Sequence, residues 1–481
     1  MATLSQVSLP SLLNGIVREA AVDETLVPVN TAQLLQNLHC DQIGALTLRK
    51  GLTLLGSQIS SGNSILGMAN YINNARDNFK LLANVGGQVY SYGGTSWGSV
   101  RNGITDGAKA RFTNFIDLTY MVNGTDATQT YNGTSFSTSN VASLPVADNI
   151  ENYRSRIWCA TKSNDKVYYS NVVSTSQTIT GGTSFIQISP QDGEQITGLK
   201  RHSRALLVFK NNHIYKIYSI NSADPDPSIS RGTYSQESII EGKNGISFHH
   251  PSGFYNFNFD GQPTDISRPI IDIVRAIPRS AYENIVGWTD DDDAHDGDHK
   301  YWSVGDLTID GVTFTNVVCR FTISTQIWTV YSYGTDITAS SRYDDGTNIY
   351  TIVGDEDGNA LKFDNGATDN TKPIHYDLQT HWYYFTAIKS KFKSITEINT
   401  LSENAQGASL QFQIDTDSST EWRDISQITQ SISQIDNINA MNFRRIRFRL
   451  YGNSAGSPFI FRGWEILSTL TEGDIKYFLR H

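Results

Sequence analysis

The densest set of side chains able to do chemistry is the acidic run Asp290-Asp291-Asp292-Asp293-Ala294-His295-Asp296-Gly297-Asp298-His299. Hard cations such as Ca²⁺ take several oxygens from a flexible loop, which makes Asp291, Asp293, Asp296 and Asp298 the candidate metal ligands. The run lacks the bidentate Glu at the twelfth position of an EF-hand loop, and its other reading is a solvated excursion between strands. Asp355-Glu356-Asp357-Gly358-Asn359 has similar flavour, but Asp-Gly between extended runs is the ordinary mark of a hairpin turn. His249-His250, ahead of Pro251-Ser252-Gly253, is a further metal-type pairing; two half-buried imidazoles at a strand end are its plainer reading.

A second constellation is basic. In Phe443–Tyr451 the residues alternate, with Ile446, Phe448 and Leu450 set for one face and Arg445, Arg447 and Arg449 for the other. With Arg444 beside it, this row of guanidiniums has two readings. It docks on an acidic partner or on DNA phosphates, or it discourages edge-to-edge strand pairing. Neither a Walker loop nor a His-Glu-x-x-His helix occurs, nor the Ser-x-Asp-x-Gly-x-x-Trp box of sialidase-type propellers. Glycosidase action needs two carboxylates that converge in space, which a sequence does not display. The expectation is a protein without catalytic residues and without a cofactor.

Elements that carry these residues are short and extended. A hydrophobic run, a Gly/Asn/Asp turn and an aromatic-rich run recur at Leu81–Tyr92, Leu118–Tyr131, Ile157–Tyr169, Leu206–Tyr218, Gly253–Phe259, Phe321–Tyr333 and Ile349–Phe363. Each copy reads as a β-hairpin with aromatics facing a shared interior. Such units bury both faces only by stacking radially, so the fold class expected is all-β: a β-propeller of six to eight irregular blades. The expected organisation is an N-terminal arm and first strand at 1–63, the propeller at 64–370, a β-sandwich-like interaction domain at 371–470 and a tail at 471–481. Helical spacing is expected at Thr31–Leu38, where Leu34, Leu35 and Leu38 share a face, and at Arg268–Val286, interrupted by Pro278. The isoleucines of Ile425–Ile438 also fall at a 3-or-4 spacing that fits a helix.

Composition narrows the function classes. The chain has 481 residues, 38 Gly and only 12 Pro, a mix suited to many strands and tight turns. A net charge of −10 and a pI near 5.5 argue against gripping nucleic acid through its phosphates. They suit ordinary solubility, or a conduit along which DNA slides. Cys40, Cys159 and Cys319 are odd in number and far apart, giving neither a disulfide framework nor a zinc signature and suggesting a reducing compartment. The first residues lack the charged start and apolar core of a signal peptide, and no stretch reaches transmembrane length.

Three segments of the chain, taken in order, carry a family resemblance. The first is the N-terminal arm, the Thr31–Asn37 segment and then Leu48-Arg49-Lys50-Gly51. The second runs from Leu206–Ile217 through Gly245–Phe248, Ser252–Tyr255 and Phe259-Asp260-Gly261 to Ile266-Ser267-Arg268-Pro269-Ile270. The third is Phe461-Arg462-Gly463-Trp464-Glu465-Ile466. Together they resemble the tail hub or nozzle proteins of short-tailed bacteriophages, also called packaged-DNA stabilisation proteins; the resemblance spans most of the chain and departs from the family in the acidic insertion and the uneven blades. It implies a structural virion protein, not an enzyme, assembled in the bacterial cytoplasm and resident in the phage tail. It further implies a homo-oligomer, a hexameric ring below the portal and its adaptor proteins. Tail fibre, spike or needle proteins would be neighbours, and genomic DNA would touch the channel transiently. A competing reading is a carbohydrate-binding or carbohydrate-active propeller in receptor recognition, with Trp97, Trp288, Trp302, Trp328 and Trp382 stacking on sugar rings.

Overall fold

The computed structural model describes residues 4–9, 14–18, 27–28, 30–42, 45–141, 143–173, 179, 184–220, 229–384, 392–417, 421–430, 433–454, 456 and 458–470. The chain divides into two compact units: Thr53–Gln326 with Tyr333–Phe363, and Met1–Leu52 with Ile327–Ser332 and Asp364–His481.

The first unit is a β-propeller. Its blades are successive antiparallel sets beginning at Ile65–Ile72, Arg111–Phe115, Asn149–Tyr153, Ile196–Arg201, Ile240–Gly242, Val286–Thr289 and Ile337–Asp344. The blades number seven, as do the recurrences in the sequence, and the recurring runs fall on the second and later strands, except that Phe321–Tyr333 includes Ile327–Ser332 of the second unit. The last blade, Ile337–Asp344, Ile349–Asp355 and Ala360–Lys362, is completed by Thr53–Leu54, with Leu361 opposite Leu54. A strand from the start of the propeller thus closes the blade at its end, which removes the open edge. For this reason the unit begins at Thr53, earlier than the expected propeller start at residue 64.

Interiors between blades are apolar and aromatic, as the alternation predicts. Trp158, Leu199, Leu206 and Val208 share one buried cluster, and Leu207, Phe209, Phe248 and Phe257 the next. The inner strands converge closely. At Gly67 an added Cβ would lie 2.0 Å from the carbonyl oxygen of Ala110, so only a glycine fits there. The long interval before Phe321–Tyr333 has two causes. One is a pair of eleven-residue strands, His299–Ile309 and Val312–Thr322. The other is the segment expected to be helical at Arg268–Val286. It holds a single α-helix, Ile271–Ala276, flanked by 3₁₀ turns at Arg268–Ile270 and Arg279–Asn284, with Pro278 before the second.

The second unit is a β-sandwich. One sheet runs in the order Leu38–Gln42, Ala45–Leu48, Ile460–Leu470, Lys393–Glu403, Ser433–Phe443, with Leu4–Leu9 paired to Ile460–Leu470. The other contains Ile327–Ser332, Ala32–Gln36, Ile374–Thr380, Ile446–Ser454, Ser409–Ile414 and Arg423–Gln427 in that order. Between them Ile446, Phe448, Leu450, Trp464 and Ile466 are buried, with Phe448 and Trp464 rings 5.5 Å apart. N-terminal strands are therefore woven into the sandwich and do not stand apart from it as an arm. Of the arm only the residues given above are described, and the tail at 471–481 lies outside the described residues.

Two helical expectations are corrected. Thr31–Leu38 is two strands, Ala32–Gln36 and Leu38–Gln42, broken at Asn37 with φ of 60°. Leu34 and Leu35 are both buried because the strand is covered on both sides, which mimics a helical stripe. Ile425–Ile438 likewise spans two strands, Arg423–Gln427 and Ser433–Phe443, with Ile428 buried and Ile435 exposed. No helix among the described residues is long and apolar enough to cross a membrane.

Candidate functional site

The first strands of the blades and the turn before the fifth line a cavity of about 240 Å³, with Gly67, Arg111, Glu151, Lys200, Glu237 and Gly287 among its residues. Its dominant feature is an ion pair. Arg111 Nε donates to Glu237 Oε1 at 2.6 Å, Nη2 to Oε2 at 3.2 Å, and Nη1 to the Asp148 carbonyl at 2.8 Å. Burial works against the Glu237 carboxylate, but the charges of Arg111 and then Lys109 overcome it and hold its pKa down at about 2. Glu237 thus stays ionised and neutralised at neutral pH. It is no proton donor, and the pair braces the second blade to the turn that leads into the fifth.

Two buried lysines brace neighbouring blades in the same way. Lys210 Nζ donates to Asp165 at 2.9 Å and Asp192 at 2.8 Å. Lys300 Nζ has neutral acceptors instead, Asn244 Oδ1 at 2.6 Å and Ser247 Oγ at 2.7 Å, and burial lowers its pKa to about 7. Sequence reasoning missed both. The signal was present for Lys210, a lysine closing the apolar run Leu-Leu-Val-Phe.

The acidic run does not converge. Asp291 faces Arg342 and Asp296 faces Lys243. Asp293 accepts from the Ile349 amide at 2.6 Å, Asp298 from the Ser324 amide at 3.0 Å, and Asp292 from Thr351 Oγ1 at 2.8 Å. Asp290 and His299 pair with each other, as do Asp292 and His295. The carboxylates tie the loop to several strands and turns, Asp292 and Asp293 both to Ile349–Asp355, and among the described residues no three metal-type side chains gather. His249 is buried between the rings of Phe254 and Tyr282 with neither ring nitrogen hydrogen-bonded, and burial lowers its pKa to about 3. His250 Nδ1 lies 2.7 Å from Ser252 Oγ. The two imidazoles share no common centre.

Gly94-Thr95-Ser96-Trp97-Gly98 spells the pattern of a nucleophile elbow, which corrects the reading that the sequence holds no Gly-x-Ser-x-Gly string. That elbow needs a strand-to-helix turn. Here it is an exposed hairpin between Gln88–Tyr92 and Trp97–Asn102, so Ser96 is not held as a nucleophile.

The arginine row is the second assembled feature. Ile446, Phe448 and Leu450 point inward and the arginines outward, as the alternation requires. The guanidiniums interleave with aromatic rings, those of Trp382 and Trp422 from other segments of the chain and that of Tyr451 from the same strand. Arg445 lies 4.5 Å from the Trp382 ring centroid. Arg447 lies 4.9 Å from Trp382 and 4.8 Å from Trp422, and Arg449 lies 5.9 Å from Trp422 and 4.4 Å from Tyr451. Arg447 is buried and donates to Gln413 and Gln33 at 2.6 Å each. Arg449 forks onto Asp377 at 3.0 and 2.7 Å. Arg444 is exposed over Phe392 at 5.0 Å. The ladder consumes Arg447 and Arg449 internally, and Arg444 is exposed at its end.

Most tryptophans proposed as sugar platforms are inside. Trp288, Trp302 and Trp328 are buried, Trp97 donates to the Leu55 carbonyl at 3.0 Å, and Trp382 carries two arginines.

No protein-family profile matches the chain, and no curated protein matches it in sequence. Solved structures similar to it include BamB from Moraxella catarrhalis, at 8% identity over 75% of this chain and 97% of that one, with a TM-score of 0.39. BBS1N in complex with ARL6DN is 9% identical over 67% and 99%, with a TM-score of 0.45. The Pan2 WD40 domain of Neurospora crassa is 9% identical over 63% and 96%, with a TM-score of 0.38. Similarity at this level carries no argument about activity; the chain is a β-propeller on the pairing of its own strands.

Proposed function

We propose that the chain is a structural subunit of a bacteriophage tail, a hub or nozzle that extends the DNA channel below the portal and its adaptor. In that role it helps retain the packaged genome and then release it. The reading rests on the three resembling segments. One observation supports it most: the Leu48-Arg49-Lys50-Gly51 segment sits at the organising point of the sandwich. Arg49 donates to Asn37, to the Ser332 carbonyl and to Asp369, which joins all three stretches of chain that build that unit. Closed blades and a stapled sandwich suit a part that bears force without changing shape. In the cavity Arg111 and Glu237 neutralise each other, as befits a brace.

In a ring the mechanism is steric and electrostatic. An acidic lumen repels phosphates, so DNA slides while a plug holds it. Hexameric assembly, adaptor contact and contact with fibre, spike or needle proteins belong to the same proposal. The test is deletion of the gene from the phage that encodes it, with capsids examined for DNA content. Particles that package and then leak DNA, restored by the gene in trans, are expected. Fully infectious particles without the protein would contradict the reading.

A further inference from the structure

The turns of the fourth and fifth blades bring a serine, a histidine and an asparagine into one hydrogen-bonded row. His250 closes the strand Gly245–His250, and Ser252 sits in the turn before Gly253–Phe257. Asn212 lies in the turn between Leu206–Lys210 and His213–Ile217, and Arg231 follows Ile229–Ser230. Ser252 Oγ is 2.7 Å from His250 Nδ1, and His250 Nε2 is 3.3 Å from Asn212 Oδ1. Asn212 Nδ2 donates in turn to Glu194 at 3.0 Å, a carboxylate that His213 Nδ1 also approaches at 3.0 Å. On the other side Tyr255 Oη is 2.8 Å from Ser252 Oγ and accepts from Arg231 Nε at 3.3 Å.

Donor directions along this row follow from its ends. A guanidinium only donates and an ionised carboxylate only accepts, so the bonds run one way from Arg231 to Glu194. The backbone amide of Ser252 also donates to His250 Nδ1, at 3.1 Å. Nδ1 is therefore the unprotonated nitrogen, and Nε2 carries the hydrogen that Asn212 accepts. This tautomer leaves Nδ1 open to the Ser252 hydroxyl proton. His250 is buried, whereas Ser252 and Arg231 are exposed. A shielded base beside an accessible hydroxyl, oriented by a third group, is the arrangement of an activated nucleophile. Arg231 is held with φ of 86°, its amide bonded to the Asn212 carbonyl at 2.6 Å.

We infer that Ser252 is a nucleophile that takes an acyl group from a carboxylic ester, with His250 as its base. The inference goes beyond the structural role proposed above and does not rest on it. Ser252 Oγ bonds to the ester carbonyl carbon as its proton passes to His250 Nδ1. The tetrahedral adduct expels the alkoxide, which takes that proton and leaves as the alcohol, so acyl-Ser252 remains. Water then attacks the acyl carbon by the same route, releasing the acid and restoring Ser252. Tyr255 and Arg231 supply donors beside the hydroxyl for the oxygen that gains charge. Asn212 is a positioning residue that holds the tautomer.

Burial, and next the charge of Arg231, lower the His250 pKa to about 4 against the opposing pull of Glu194. His249 adjoins it in the strand, and the Tyr255 ring lies 6.0 Å from its own. The imidazole is thus neutral at about pH 6 to 8, and attack assisted by it is level across that range.

The test treats the full chain with p-nitrophenyl acetate and follows acetylation of single serines by peptide mass spectrometry. Ser96, exposed on its hairpin, is the internal comparison. Ser252 is expected to acetylate at least about 100-fold faster than Ser96, at a rate level between about pH 6 and 8. His250→Gln is expected to slow it by about the same factor, with folding checked by circular dichroism. Asn212→Ala is expected to cost about ten-fold and Asn212→Asp to restore the rate, since an aspartate oxygen also accepts from Nε2. If His250→Gln does not fold, the wild-type pH profile decides: an unassisted serine reacts through its alkoxide, about ten-fold faster per pH unit. No acetyl group on Ser252, a rate equal to that of Ser96, or a rate that climbs with pH overturns the inference. An unchanged rate in folded His250→Gln or Asn212→Ala does the same.

Discussion

Arg49 and Asp369, 320 positions apart, meet as a buried two-pronged pair, Nη1 to Oδ1 at 2.8 Å and Nη2 to Oδ2 at 2.6 Å. The Arg49 side chain has no exposed surface and Asp369 has 7%. Asn37 closes the arrangement: it accepts from Arg49 Nε at 2.8 Å and donates to the Ser332 and His375 carbonyls.

Removing one partner strands the other as a buried charge. Arg49→Met or Asp369→Asn is expected to cost roughly 3–5 kcal/mol, read as a lower urea midpoint. Arg49→Lys should recover little, because an ammonium lacks the planar fork. A midpoint equal to wild type in Arg49→Met would show that the pair is not the anchor described.

Gly51 and Gly67 are fixed by close approach. A Cβ at Gly51 would lie 1.9 Å from the Thr368 carbonyl oxygen, and one at Gly67 2.0 Å from that of Ala110. Both contacts are with backbone, which does not swing aside, so each Gly→Ala change should destabilise by about 1–3 kcal/mol or more. Gly94, with no atom within 4 Å of its added Cβ but a φ of 101°, is the comparison. Calorimetry of the three variants separates crowding from backbone strain, and equal losses at all three sites would argue against crowding.

Lys300 makes stability depend on pH. Its acceptors at Asn244, Gly245, Ser247 and Asn256 are all neutral. Burial lowers its pKa from 10.5 to about 7. Between those values the unfolded chain keeps a proton that the folded chain has lost, so stability rises with pH, by up to ~1.4 kcal/mol per unit. Lys300→Met is expected to flatten the rise between pH 7 and 9 in urea titrations. Parallel profiles for the two proteins would refute the assignment.

The arginine ladder should behave as a coupled stack. Trp382→Ala strips a ring from Arg445 and Arg447, and Trp422→Ala one from Arg447 and Arg449. Each is expected to cost about 1–3 kcal/mol, with a double-mutant cycle against Arg447 showing non-additivity. Strict additivity would mean the rings and guanidiniums only happen to be neighbours.

What was legible in the sequence followed the reach of each signal. Recurring aromatic hairpins announce the propeller because each copy is local, and alternation at Ile446–Leu450 assigns inward and outward faces correctly. The ladder's rings are invisible from the row itself, since Trp382 and Trp422 arrive from separate loops. Arg49 with Asp369, and Arg111 with Glu237, are pairs that only the closed fold brings together. The helical misreadings share one cause: a strand covered on both faces, or two strands read in series, reproduces a spacing of three and four.

The most direct measurement is electron microscopy of purified phage particles with gold-labelled antibody against this chain. The account predicts label at the tail, below the portal vertex. Particles that carry no label, and no peptide of the chain by mass spectrometry, would contradict it.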